Sequence, residues 1–83
     1  MSGQQYARTK GPVVIELSVS EALVLFEFIA NFNDRKDFVF EDQAEYRMMA
    51  YLECILERQL AEPFAPNYYQ LLKEARDTVR DED

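Results

Sequence analysis

The sequence predicts an all-α protein, a bundle of three helices at about 19–33, 43–61 and 68–80 with a short extended N-terminal arm or strand at 13–17. Residues 22–32, ALVLFEFIANF, are apolar at nine of eleven positions. Such a segment is typical of a helix buried on most sides. The two later segments place apolar residues at helical spacing, with polar residues opposite. Capping residues precede all three segments, which supports helices rather than strands.

The 83 residues allow one domain, with 1–11 as a disordered arm and 12–83 as a single helical domain. A core of this size usually leaves only ~3–5 kcal/mol of net stability unless something reinforces it. Cys54 is the only cysteine and histidine is absent, so an intrachain disulfide is impossible and a structural zinc site is not expected. Oligomerisation is the remaining common reinforcement.

The chain is acidic, with a net charge of −7. Two of the nine basic residues, Arg8 and Lys10, precede Pro12, which leaves seven basic against sixteen acidic residues, a charge of −9, in 12–83. Such a surface repels phosphate backbones, so we expect no nucleic-acid partner. The apolar stretch 17–32 is too short and too interrupted by glutamates to cross a bilayer, so we expect a cytoplasmic protein without a membrane partner.

The first predicted element is the arm that follows Pro12. β-Branched residues dominate it, and Val13, Ile15 and Leu17 share one face if the backbone is extended. A lone strand cannot satisfy its own backbone groups. The arm therefore pairs with the short segment 38–40, pairs with a second copy, or lies extended over the helices.

The first helix has a capping box at its start. Ser18 as N-cap and Glu21 three residues later can each satisfy a free backbone N–H of the other. The pattern runs to about residue 33. The charged residues 34–37 then form a solvated turn.

The second helix begins after two phenylalanines, Phe38 and Phe40, which we expect to close the end of the core. Asp42 and Glu45 have the spacing of a capping pair and suit the positive end of the helix dipole. One face of 43–61 is apolar. Its members are Met48, Met49, Leu52, Ile55, Leu56 and Leu60.

The third helix begins after Pro63 and Pro66, which stop the second helix and stiffen the connection. We expect Asn67 to be its N-cap, with Gln70 completing a capping box. Its apolar stripe is Tyr68, Leu71, Leu72, Ala75 and Val79.

The first helix displays more apolar surface than a three-helix bundle usually covers. A solvent-exposed apolar patch of that size is unusual on a soluble monomer, so we expect a twofold homodimer. The alternative is cover from within the chain, by the arm and the rings of Phe38, Phe40 and Phe64. The residues expected at the self-association surface are Leu23, Leu25, Phe28, Ile29 and Phe32, with Val13 and Ile15 as possible arm contacts.

No catalytic or cofactor site is expected. Histidine is absent, and we expect Cys54 to be a buried structural thiol, because nearby carboxylates disfavour its thiolate. The only glycines, Gly3 and Gly11, cannot form a glycine-rich phosphate loop. Two carboxylate pairs have i,i+4 spacing and are better explained as solvated surface than as metal ligands. The pairs are Glu41 with Glu45 and Glu53 with Glu57.

Four blocks, EALVLFEF (21–28), FEDQAE (40–45), EPFAPNY (62–68) and LLKEAR (71–76), resemble a small family of uncharacterised bacterial proteins. The resemblance spans about 16–80 and combines a capped helix, an acidic helix start and a proline-fixed corner. It implies a compact helical protein of bacterial type. The family has no assigned activity, so the resemblance implies no catalytic residue.

We therefore expect a non-enzymatic protein that acts through protein–protein contacts as a homodimer, for example as an acidic adaptor or regulator. Acidity, small size and three tyrosines that we expect to be exposed, Tyr46, Tyr68 and Tyr69, leave open an inhibitor of a basic partner, such as an immunity protein or nucleic-acid mimic. A third hypothesis is a carboxylate-based metal-binding domain or small enzyme. Its ligands would be Glu41, Asp42 and Glu45.

Overall fold

The computed structural model describes residues 11–82 and contains three α-helices in that range. They are α1 (Val19–Asn33), α2 (Gln43–Gln59) and α3 (Tyr68–Arg80), with a 3-10 turn at Glu62–Phe64 before α3. No residue of 11–82 belongs to a β-strand. The prediction of an all-α three-helix protein is confirmed. Most of the predicted disordered arm, 1–10, lies outside the described residues.

The start of α1 has the predicted capping box. The Glu21 N–H donates to Ser18 Oγ at 3.1 Å, and the Ser18 N–H donates to Glu21 Oε1 at 2.8 Å. Two backbone donors that the helix itself cannot satisfy thus have partners.

The ends of α2 differ slightly from the prediction. Asp42 caps the helix by accepting from the Ala44 N–H at 2.8 Å, but Glu45 reaches back to the Glu41 N–H at 3.0 Å rather than to the Asp42 N–H. The helix ends at Gln59, two residues before the predicted end. Leu60 leaves the helix with an extended backbone (φ −107°, ψ 134°), and its side chain is buried in the core.

The prediction of Asn67 as a side-chain N-cap of α3 is wrong. The residue precedes the helix, but its side chain makes no capping hydrogen bond. Its backbone (φ −102°, ψ 34°) lies outside the extended region from which an N-cap side chain reaches the first N–H groups. Gln70 likewise turns away and donates to Glu74 Oε2 at 3.3 Å.

α1 is the central helix and packs against both α2 and α3, which have little contact with each other. The described part of the chain buries a small core. It consists of Leu23, Phe26, Ile29, Leu60, Leu72 and Ala75. No residue of α2 is buried, although its sequence is amphipathic. The bundle is therefore open, and α2 covers α1 without being covered itself.

Three hydrogen bonds, donated by Tyr68 and Asn33, join α1 to its neighbours. Tyr68 of α3 donates its hydroxyl to Glu27 Oε1 at 2.6 Å. Asn33 donates through Nδ2 to Glu53 Oε1 at 2.7 Å and to the Met49 carbonyl at 3.3 Å, both on α2. All are partly buried, and they fix the register of the two helices on α1.

The arm at 13–17 is neither helix nor strand, and it does not pair with 38–40. Ile15 and Leu17 border a groove beside Ile55 and Leu60, at the end of α2. All five arm residues are nevertheless exposed. The arm therefore does not cover the surplus apolar face of α1 within its own chain.

Candidate interaction surface

A chain of aromatic rings runs from the outer face of α1 to the start of α2. We call it the aromatic cluster, and its members are Phe28, Phe32, Phe38, Phe40 and Tyr46. The rings of Phe28 and Phe32 are stacked with centroids 6.3 Å apart, and Phe32 meets Phe38 edge to face at 5.0 Å. Phe40 contacts Phe38 at 5.0 Å and Tyr46 at 5.9 Å. These spacings are typical of favourable aromatic pairs, so the cluster is an ordered surface.

Beside this cluster lies an apolar groove between the end of α1 and the start of α2, with a volume of about 450 Å³. It is lined by Phe32, Phe38, Phe40, Ala44, Glu45, Met48 and Met49. Methionine side chains are flexible and polarisable, and they adapt to the shape of what they bind. The groove can therefore accept an apolar side chain, but it holds no acid-base group beyond one carboxylate.

Acidic residues border the groove at the start of α2. We call Glu41, Asp42 and Glu45 the acidic rim. Asp42 and Glu45 accept hydrogen bonds from backbone N–H groups, as described above, and all three are exposed. Within 11–82, no three cysteine or carboxylate side chains gather closely enough to hold a metal ion.

Three residues predicted for self-association lie together on the outer face of α1. Phe28 is 64% exposed and Leu25 is also exposed, while Phe32 is partly covered by Phe38 and Phe40. Cover from within the chain, by Phe38 and Phe40, thus accounts for Phe32 only. Phe64, also expected as cover, is itself exposed in the turn before α3.

Leu23 and Ile29 do not belong to this surface, so that part of the interface prediction needs correction. Each is only 2% exposed, on the inner side of α1. Apolar residues surround most of α1, so the sequence pattern could not separate the side that receives α2 and α3 from the side left open.

The two arm residues of the predicted interface are almost fully exposed. Val13 is 90% exposed and Ile15 is 77% exposed. They lie before the N-terminal end of α1, whereas the groove lies at its C-terminal end. The structure thus brings together Leu25, Phe28 and Phe32, and it places the arm residues apart from them.

Sequence reasoning missed Met48 and Met49 as members of an open groove. Their spacing identified them correctly as one face of an amphipathic helix, and we expected that face to be buried. Met48 is instead about half exposed and Met49 is partly exposed. Phe38 and Phe40 were expected to close the core, and they form one wall of the groove instead. The neighbouring pairs Phe38–Phe40 and Met48–Met49 were the available signal.

Cys54 is exposed, which corrects the prediction of a buried thiol. It lies on the outer side of α2 near Tyr51 and Arg58. α2 uses its inner side against α1, and no other described element covers its outer side.

The three tyrosines discussed above differ in environment. Tyr46 and Tyr69 are exposed as expected. The expected exposure of Tyr68 is wrong, because its side chain is partly buried and its hydroxyl donates to Glu27. Burial, and then the hydrogen bond and negative charge of Glu27, raise the pKa of Tyr68 well above its ordinary value. Tyr68 is therefore a neutral structural donor. Asn31 supports the same carboxylate by donating to Glu27 Oε2 at 3.2 Å.

Within residues 11–82, no helix is both long enough and apolar enough to span a bilayer. The candidate surface therefore consists of an exposed aromatic cluster, an apolar groove and an acidic rim. Comparison of the chain with descriptions of protein families, with curated proteins and with solved structures finds no match in any of the three.

Proposed function

We propose that this chain is a non-enzymatic protein that acts through protein–protein contacts and associates as a homodimer. The observation that carries the proposal is the exposed aromatic face of α1, centred on Leu25 and Phe28. A ring that is 64% exposed in the middle of an apolar helix face is a typical anchor of a protein interface.

The balance between core and surface supports the same proposal. In the described part of the chain six side chains are buried, whereas fourteen large apolar side chains are exposed. Each large side chain that becomes fully buried contributes about 1.5–3 kcal/mol. Covering three or four of them would add as much as the whole net stability of a domain this size. A second copy is the most readily available cover, because every chain meets other copies at the concentration of the protein itself.

The chemistry of the surface supports a binding role over a catalytic one. The groove is apolar apart from Glu45, and its rim carboxylates interact with backbone donors at the start of α2. The proposal includes a cytoplasmic location, because an unpaired cysteine suits a reducing compartment.

The test is the mass of the full chain in solution, measured by light scattering between about 1 and 100 μM, the range in which transient and stable dimers are separated. We expect a particle of about twice 9.8 kDa. Phe28→Ser should shift the equilibrium toward the monomer by roughly tenfold or more. Phe64→Ser is the matched control, because Phe64 is similarly exposed but lies outside the aromatic cluster. A monomer at every concentration, or equal effects of the two variants, would contradict the proposal.

An inhibitor of a basic partner is the second candidate, and the acidic rim beside an open groove favours it. Such a protein would remain monomeric alone and would bind one basic protein in a salt-sensitive way. Melting with Mg²⁺, Ca²⁺ and Mn²⁺ separates both from a metal-binding domain, because a specific ion raises the stability of the folded state.

A further inference from the structure

We propose that the groove of each copy is occupied by the N-terminal arm of the other copy, with Val13 and Ile15 entering beside Phe32 and Met48. The inference rests on the proposed homodimer and specifies how its two halves engage. It gives the arm a role in assembly that its conformation in a single chain does not suggest.

The first argument is that arm and groove have matching chemistry. The groove is apolar and open, with a volume of about 450 Å³. Val13 and Ile15 are among the most exposed apolar side chains of the described residues. In an extended backbone, residues two apart point to the same side, so both can enter one groove together. The intervening Val14 then points away.

The second argument is that Ile15 does not reach the groove of its own chain. Ile15 lies three residues before Ser18, a span of at most roughly 11 Å when fully extended. Fourteen residues of helix separate Ser18 from Phe32, a distance of roughly 21 Å at 1.5 Å per residue. Ile15 therefore ends about 10 Å short of Phe32 in its own chain. In the structure Ile15 and Leu17 lie instead beside Ile55 and Leu60, at the far end of α2 from the groove.

The third argument is the symmetry of the exposed face. Leu25 and Phe28 lie near the middle of α1, the arm precedes its start and the groove lies at its end. A twofold axis that passes through the Leu25 and Phe28 surface and is perpendicular to α1 pairs the two α1 helices antiparallel. Each arm then comes to the groove end of the other copy, and the two contacts are identical, as a closed dimer requires.

The fourth argument is charge. Arg8 and Lys10 precede the arm in sequence and are the only basic residues before Arg35. Glu45 lines the groove, and residues 34–47 around it carry five acidic and three basic side chains, a charge of −2. Residues 8–17, with Arg8, Lys10 and Glu16, have a charge of +1, so the two ends that the twofold axis brings together differ in sign, although each copy as a whole is negative. Opposite local charges favour this antiparallel register over a parallel one.

The experiment is a disulfide cross-link between two full-length variants. Both carry Cys54→Ser, which removes the exposed native thiol. One also carries Ile15→Cys and the other Met48→Cys. The two are mixed in equal amounts and mildly oxidised with glutathione disulfide, and the linked species are identified by mass. Val14→Cys replaces Ile15→Cys in the matched control.

We expect a covalent dimer that joins position 15 of one copy to position 48 of the other. It should form at least roughly tenfold faster than with Val14→Cys, because a docked side chain holds the thiols at high effective concentration and within disulfide distance. Ile15→Ser should also weaken the dimer by roughly tenfold, and Val14→Ser much less.

The failures of the two proposals are distinguishable. A dimer in light scattering without preferential linkage between positions 15 and 48 would overturn arm exchange and leave the homodimer intact. A chain that stays monomeric would overturn both. Capture of a basic protein by a monomer with an open groove would assign the groove to a foreign partner instead.

Discussion

The hydrogen bond between Tyr68 and Glu27 predicts that Tyr68→Phe destabilises the fold. Among the described residues it is the one side-chain hydrogen bond between α3 and α1. The distance from the Tyr68 hydroxyl to Glu27 Oε1 is 2.6 Å. A hydrogen bond to a charged group contributes about 1.5–3 kcal/mol. Both partners are only partly buried, and Glu27 retains Asn31, so solvent and the remaining donor reduce the loss. We expect a loss of about 1–2 kcal/mol.

The assay is urea unfolding of the full chain at pH 7, followed by circular dichroism at fixed protein concentration. In thermal unfolding, each kcal/mol of lost free energy of unfolding should lower Tm by roughly 4–8 °C for a domain of this size. Tyr69→Phe is the matched control, because the neighbouring Tyr69 is 77% exposed. It should change the free energy of unfolding by less than about 0.5 kcal/mol. Equal losses for the two variants would refute the structural role of the hydrogen bond.

The same hydrogen bond predicts how the loss depends on pH. The pKa of Tyr68 is raised in the folded state by burial and then by Glu27, so the neutral phenol is favoured there. The contribution of this raised pKa to the free energy of unfolding is therefore fully present below the ordinary tyrosine pKa of about 10. Above that pH the unfolded chain releases a proton that the folded chain retains, so the contribution is lost as pH rises. The difference in free energy of unfolding between the unmodified chain and Tyr68→Phe should decrease above about pH 10. A difference that stays constant up to about pH 11 would contradict the assignment.

Two further predictions concern the core and the start of α1. Leu72→Ala should lower the free energy of unfolding by about 2–5 kcal/mol, because Leu72 is among the most completely buried side chains. Denaturant titration should show a clearly smaller loss for the partly exposed neighbour, in Leu71→Ala. Ser18→Ala removes the acceptor for the Glu21 N–H and should cost about 0.5–2 kcal/mol. Ser20→Ala, two residues on, should cost less in the same titration, and a reversed order would contradict the cap.

The helices could be predicted because their signals are local. The apolar periodicity of 22–32 and the Ser18–Glu21 box act within a few residues, and α1 begins and ends where they indicate. The failures arose where geometry beyond the local sequence decides. Asn67 is a favourable N-cap residue, yet its backbone after Pro66 does not take the conformation that the cap needs. Leu60 fits the stripe of α2, yet it leaves the helix to enter the core.

The candidate surface was less accessible to sequence reasoning, because periodicity identifies an apolar face but not what covers it. The apolar stripe of α2 predicts burial, and Met48 remains about half exposed. On α1 the pattern is apolar almost all round, so Leu23 and Phe28 looked equivalent. Their burial differs because α2 and α3 approach α1 from the inner side.

The open arrangement of the bundle follows from the central position of α1. In a closed three-helix bundle each helix contacts both others, and one core serves all three. Here α2 and α3 each pack on α1 and hardly meet, so the core lies along α1 and α2 contributes no buried side chain. A helix with apolar residues on nearly every side can accept two neighbours and still expose Leu25 and Phe28. The remaining side of α1 is as apolar as the sides already occupied. The same hydrophobic effect that attaches α2 and α3 therefore favours a further element there, which is the physical reason for proposing a second copy.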